Sequence, residues 1–172
     1  MKIAIIIGTG YVGLVTGAVF SEAGHEVTCY DVDADRIAKL SEGELPFYEI
    51  GLRDLVDRGA ERGNLIFTSD FDATVADAKI VYCCVGTPTG KYGRMDTAAV
   101  DGVAKRLASK ARKAGRLFVI KSTVPPGTTR KVQEILLTKM EYSAVVIPEF
   151  LKEGTAVADA QRPDRIVIGT ID

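Results

Sequence analysis

Short apolar runs alternate with longer amphipathic stretches from one end of the chain to the other. The runs at residues 2–7, 26–30, 65–68, 80–85, 117–121, 144–147 and 165–168 are continuous and rich in β-branched residues. Continuous rather than alternating runs suit strands of a parallel sheet buried on both faces. Between them the apolar positions recur at helical spacing. One such stretch covers residues 14–23. A second begins at Asp33, passes through Ile37, Ala38 and Leu40, and stops at Gly43. Others cover residues 52–61, 71–77 and 128–139, the last with Val132, Ile135 and Leu136 on one face. The longest, 97–114, carries Val100, Val103, Ala104, Leu107, Ala108 and Ala111, and Gly115 ends it. A strand–helix series of this kind predicts a doubly wound α/β fold with a mostly parallel sheet and right-handed crossovers. No repeat, low-complexity tract or linker divides the 172 residues, so one domain spanning 1–172 is expected. The segment 42–50 is richer in apolar residues than a loop requires. It either packs on the domain or acts as a lid or partner contact.

The first strand runs directly into Gly8, Gly10 and Gly13, and the second ends at Asp31, 18 residues after Gly13. Strand, Gly-x-Gly-x-x-Gly, helix, strand and acid is the order a dinucleotide-binding βαβ unit requires. Gly8 lets the strand turn sharply, Gly10 lets the backbone approach a pyrophosphate, and Gly13 lets the helix pack closely. The pyrophosphate would rest on the free N–H groups of the helix N-terminus. Asp31 would accept the ribose hydroxyls and repel a 2′-phosphate, which favours NAD over NADP. Arg36 either borders the adenine, pairs with Asp31 or Asp33, or offers a cation to a phosphate.

Composition narrows the function little. Basic and acidic residues number 22 and 23, a net charge of −1, so nothing points to nucleic acid or an acidic membrane. No apolar run reaches the ~18 residues of a membrane span, and the N-terminus enters a strand without a leader. Cys29, Cys83 and Cys84 lie in apolar runs and read as reduced core thiols of a cytosolic protein. The one histidine, His25, reads as a surface turn residue, and no metal site is expected.

Ligands of open α/β sheets bind beyond the carboxyl ends of the strands. The segments found there are Gly86-Thr87-Pro88-Thr89, Ser122-Thr123 before Pro125-Pro126-Gly127, and Pro148-Glu149-Phe150-Leu151-Lys152-Glu153-Gly154. The first is either a plain turn or a contact to the cofactor ribose and pyrophosphate. Ser122 and Thr123 either satisfy local backbone or place Thr123 near the nicotinamide and reacting carbon, while Thr128 or Thr129 is available to cap the next helix. Glu149 and Glu153 are four apart, so on a helical turn they would share a face. They are either ordinary surface glutamates or a base and a cofactor contact.

These segments together resemble the NAD-binding domain of the UDP-glucose/GDP-mannose 6-dehydrogenase family, a Rossmann-type domain. The resemblance rests on Gly8-Thr9-Gly10-Tyr11-Val12-Gly13, Asp31-Val32-Asp33 with Arg36, Gly86-Thr87-Pro88, residues 121–128, residues 148–154 and residues 162–169. It implies a four-electron oxidation of a nucleotide sugar's C6 alcohol to a carboxylate, with two NAD reduced and a cysteine holding the intermediate as a thioester. It further implies that Gly8, Gly10, Tyr11, Val12, Gly13, Asp31, Arg36, Gly86, Thr87, Pro88, Ser122, Thr123 and Glu153 contact NAD. Thr123 would orient water or the reacting oxygen, Glu149 would assist as a general base, and Glu149, Phe150, Leu151, Lys152 and Glu153 would line the substrate. Ile147 stands where the family usually has asparagine.

The family's central helix, nucleophilic cysteine and nucleotide-sugar domain lie beyond the stretch matched here. The expectation is therefore a cofactor domain cut from a longer, homo-oligomeric enzyme, able to bind NAD without turnover. Two other readings stand beside it: a stand-alone NAD-binding module with a sensing or scaffolding role, and a β-hydroxyacid dehydrogenase domain of the 6-phosphogluconate type.

Overall fold

The structure is a computed structural model that describes residues 1–6, 8–110, 115–137 and 142–171. Six strands form one sheet: β1 (Lys2–Ile6), β2 (Glu26–Tyr30), β3 (Leu65–Thr68), β4 (Ile80–Cys83), β5 (Arg116–Ile120) and β6 (Tyr142–Val146). Their order is β3-β2-β1-β4-β5-β6, and every neighbouring pair is parallel. The chain leaves β1 to build outward on one side and returns to build outward on the other, which is the doubly wound arrangement expected from the alternating runs. The helices are α1 (Tyr11–Glu22), α2 (Ala34–Ser41), α3 (Leu52–Glu61), α4 (Phe71–Ala76), α5 (Ala98–Lys110), α6 (Thr128–Leu137) and α7 (Ala156–Gln161).

Two apolar layers sandwich the sheet. On one face Leu14, Val15 and Ala18 of α1 meet Leu52, Leu55 and Val56 of α3 over Val27, Cys29 and Leu65. On the other, Val100, Val103 and Leu107 of α5 and Val132 and Leu136 of α6 cover Val81, Cys83, Phe118, Ile120 and Tyr142. Each of the larger side chains contributes about 1.5–3 kcal/mol by leaving water. The buried Arg116 guanidinium donates to the carbonyls of Val75 (2.9 Å) and Ala76 (2.8 Å), the last residues of α4. It thereby answers the acceptors that a helix C-terminus leaves open.

Several expectations need correction. Residues 165–168 are not a seventh strand. The residue that follows them, Gly169, forms one antiparallel bridge with Val146 of the edge strand β6. Ile166, Val167 and Ile168 stay exposed, so their β-branched character reflects no buried sheet position. Helix α1 begins at Tyr11, three residues before the expected start, because Gly13 is tolerated within its first turn. Strand β4 stops at Cys83, two residues early, while β5 and β6 begin one and two residues earlier than expected. Helix α7 and a 3₁₀ turn at Lys91–Gly93 carry no apolar period and were not foreseen. Ile7, at the end of the expected first strand, and residues 111–114 and 138–139, at the ends of two expected helices, lie outside the described residues.

Candidate functional site

A parallel sheet brings the loops after all its strands to one edge. The glycine turn after β1 is tightly built. Gly8 has φ +76°, a conformation L side chains rarely adopt, and a Cβ there would lie 2.8 Å from the Cys84 carbonyl oxygen. A Cβ on Gly13 would lie 2.1 Å from the carbonyl oxygen of Gly8, so the helix rests directly on the turn. Gly10 is the N-cap of α1 and supplies no side-chain cap. Nothing lies within 4 Å of where its Cβ would project. The helix N-terminus thus has open space and lacks a capping side chain, the arrangement a bound pyrophosphate fits.

Asp31 is buried at the end of β2 and locks the turn in place. Its Oδ2 accepts from the Thr9 N–H and the Thr9 hydroxyl, both at 2.9 Å. Its Oδ1 accepts from the Asp33 N–H at 3.1 Å. Arg36 pairs with Asp31 at 3.4 Å and with Asp33 at 3.8 Å, one of the alternatives open from sequence. Asp33 also caps α2 by accepting from the Arg36 N–H. Thr9 was not singled out from sequence. Its place inside the glycine triplet, facing an acid at the end of β2, was the only signal.

The ends of β4 and β5 are tied together. The buried Ser122 hydroxyl donates to the Val85 carbonyl at 2.6 Å, and the Thr87 hydroxyl donates to the Thr123 carbonyl at 2.8 Å. Gly86, Pro88 and Thr123 are exposed at this edge. Thr128 opens α6, and its hydroxyl donates to the Pro125 carbonyl at 2.8 Å rather than accepting a helix N–H.

Segment 148–152 is irregular, so Glu149 and Glu153 do not share a helical face. Glu149 accepts from the Leu151 N–H at 2.7 Å within its own turn, and Glu153 is exposed. Proline at 148 and glycine at 154 (φ +89°) explain why no helix spans them. The segment is nevertheless held against the glycine turn, because the Tyr11 hydroxyl donates to the Lys152 carbonyl at 3.0 Å. That hydroxyl's single proton is shared with the buried Glu49, the nearer acceptor at 2.6 Å. Burial and that carboxylate push the Tyr11 hydroxyl above its ordinary pKa. Burial alone would raise Glu49, but its hydrogen bonds from Tyr11, Gly154, Ala156 and Ile50 outweigh it and hold the carboxyl below its ordinary value.

A groove of about 550 Å³ opens beside α1 between Phe20, Tyr82, Lys121, Phe150, Leu151 and Ile166. Burial lowers the Lys121 ammonium, against the opposing pull of Cys84 and Glu149. The Arg165 guanidinium lies 5.6 Å from the centre of the half-exposed Phe150 ring. Segment 42–50 packs onto the domain: Leu45 and Phe47 join the α1–α3 layer, whereas Tyr48 and Ile50 remain exposed. Cys29 and Cys83 are buried free thiols pushed up to about 12 by burial, and the Cys84 thiol is raised for the same reason. None has the lowered pKa of a nucleophile.

The site's layout has counterparts of known identity. Residues 1–172 match the NAD binding domain of the UDP-glucose/GDP-mannose dehydrogenase family. The chain belongs to this family. Its cofactor is NAD, and its sheet is that of a Rossmann-type dehydrogenase domain. UDP-glucose 6-dehydrogenase from Pseudomonas aeruginosa is 42% identical over 174 residues, which cover 97% of this chain and 38% of that protein. A UDP-glucose dehydrogenase from Pyrobaculum islandicum superposes with a TM-score of 0.91 at 36% identity, over 100% of this chain and 41% of that one. GDP-mannose dehydrogenase from Pseudomonas aeruginosa gives 0.90 at 34% identity, again over 100% and 41%. The chain thus spans about two fifths of the length of these relatives. Among the described residues, no helix is long and apolar enough to cross a membrane.

Proposed function

We propose that this chain is the cofactor half of a nucleotide-sugar 6-dehydrogenase of the UDP-glucose type, and that residues beyond the matched stretch supply the central helix and the nucleotide-sugar domain. The overall reaction takes a primary alcohol and water to a carboxylate, and two NAD accept the two hydrides. The observation that carries this reading is the hydrogen bond from the Tyr11 hydroxyl to the Lys152 carbonyl. It sets segment 148–154 beside the turn that faces the pyrophosphate, so one edge of the sheet serves both cofactor and sugar.

In this reading Gly8, Gly10, Tyr11, Val12 and Gly13 line the pyrophosphate, and Asp31 and Arg36 border the adenosine. Gly86, Thr87, Pro88 and Ser122 shape the wall along the central ribose. Thr123, exposed at the end of β5, orients water or the reacting oxygen. Glu149, whose carboxylate keeps one oxygen unclaimed by the Leu151 N–H, is the general base on water. Glu153 meets the nicotinamide end, and Phe150, Leu151 and Lys152 border the sugar. The exposed positions of Thr123 and Phe150 support this allocation. The buried cysteines are unsuited to hold a thioester, so that nucleophile belongs to the remainder of the enzyme, which we take to be a homo-oligomer working in the cytoplasm, in the supply of sugar acids for polysaccharide synthesis.

The test is NADH production from UDP-glucose, UDP-N-acetyl sugars and GDP-mannose. The 172-residue chain alone is expected to give none, and the chain joined to its natural continuation is expected to turn over one of them. Steady turnover by the isolated chain would overturn the division of labour.

A further inference from the structure

Glu49 is a buried carboxylate, 4% exposed, in a loop that holds no candidate for binding or catalysis. A buried carboxylate is tolerated only when donors replace its lost water. Beside the neighbouring Ile50, three of its donors come from two distant stretches of chain. The Tyr11 hydroxyl at 2.6 Å belongs to the first residue of α1. The N–H groups of Gly154 (2.9 Å) and Ala156 (3.0 Å) follow directly after Glu153. The Tyr11 ring also lies against Phe47 of the same loop, with centroids 5.1 Å apart. The Lys152 carbonyl, 3.0 Å from the same hydroxyl, shares its single proton with Glu49. An apolar plug would fill this space, but it would not fix the spacing of these three groups. Directional bonds to one charged group do fix it.

We propose that Glu49 is a positioning residue for the cofactor site: its carboxylate holds the start of α1 and the segment ending in Glu153–Gly154 at one separation, so that the pyrophosphate turn and the nicotinamide contact form a single unit. The proposal rests on the reading above, in which the turn meets the pyrophosphate and Glu153 the nicotinamide. The turn itself is also secured independently, by the Thr9–Asp31 bonds and by the Gly8–Gly13 packing. Loss of Glu49 therefore releases the nicotinamide side and leaves the adenosine side largely in place.

Calorimetry with NAD and with ADP-ribose, the same molecule without its nicotinamide, separates the two sides. The wild-type chain is expected to prefer NAD. Glu49→Gln keeps the shape but turns an amide NH₂ towards N–H donors, and it should cut that preference by roughly five- to tenfold while ADP-ribose binding stays near wild type. Glu153→Ala should add less in the Glu49→Gln background than it does alone, since both remove one contact. Glu49→Asp keeps the charge but shortens the reach to the three donors, and gives the same result should Glu49→Gln fail to fold. Equal weakening of both ligands would make Glu49 a support of the fold alone and overturn the proposal. An unchanged preference, or a wild-type chain that binds the two ligands equally, would also overturn it. If neither ligand binds the folded wild-type chain, the cofactor-site reading itself falls.

Discussion

Replacing Gly13 by alanine is expected to weaken NAD binding roughly a hundredfold. The added Cβ would sit 2.1 Å from the Gly8 carbonyl oxygen and 3.4 Å from the Cys84 Cβ. The first of these is backbone, so no side chain can swing away. Alanine is the better helix former by roughly 1 kcal/mol, which would favour the substitution on an open helix surface. Here the clash dominates. Helix α1 must slide off the turn or Gly8 must leave its positive φ, and either change moves the N–H groups proposed to hold the pyrophosphate. Overpacking of this kind costs about 3 kcal/mol, and an equal loss in binding is roughly a hundredfold in affinity. Calorimetry beside a thermal melt reads both. Wild-type affinity in a folded Gly13→Ala chain would mean that the turn does not hold the cofactor.

Asp31→Ala carries the second large effect, and it strikes fold and cofactor together. The buried Thr9 N–H and hydroxyl lose their acceptor, as does the Asp33 N–H, and Arg36 loses its nearer partner. Each buried donor left alone costs about 1–3 kcal/mol, so a total loss of about 3 kcal/mol is expected. For a chain of this size that lowers the melting temperature by roughly 6–12 °C. In the proposed site the ribose hydroxyls would lose their acceptor at the same time, so NAD affinity is expected to fall even at temperatures where the variant stays folded. Asp31→Asn discriminates between the two roles. It keeps one oxygen for Thr9 and restores part of the stability, while the loss of charge weakens the bias against a 2′-phosphate. An Asp31→Ala chain with wild-type NAD affinity would remove Asp31 from the ribose.

The parts of the molecule that were legible in the sequence are those set by local pattern. Strands β2 and β3 fall where the apolar runs placed them, and α3 spans the residues its period predicted. The glycine turn was legible because backbone sterics leave few substitutes there, and Asp31 because it is the acid that closes the second apolar run. What escaped depends on tertiary partners. Residues 165–168 have the composition of a buried strand, yet only Gly169 pairs with β6 and the preceding side chains remain in solvent. The i, i+4 spacing of Glu149 and Glu153 suggested a shared helical face, but Pro148 and Gly154 bracket an irregular segment. Helix α7 is six residues long, too short to show a period. Glu49 looked like one more acidic residue in a loop, and its donors lie 38 and more residues away in sequence.

The edge formed by the glycine turn, Asp31 and segment 148–154 is proposed as the NAD site. Titration of the 172-residue chain with NAD and with NADP in parallel calorimeter runs tests it most directly. One NAD should bind per chain and NADP should bind far more weakly, on the proposal that the Asp31 carboxylate faces the 2′ position. Tighter binding of NADP, or no binding of NAD to the folded chain, would contradict the account.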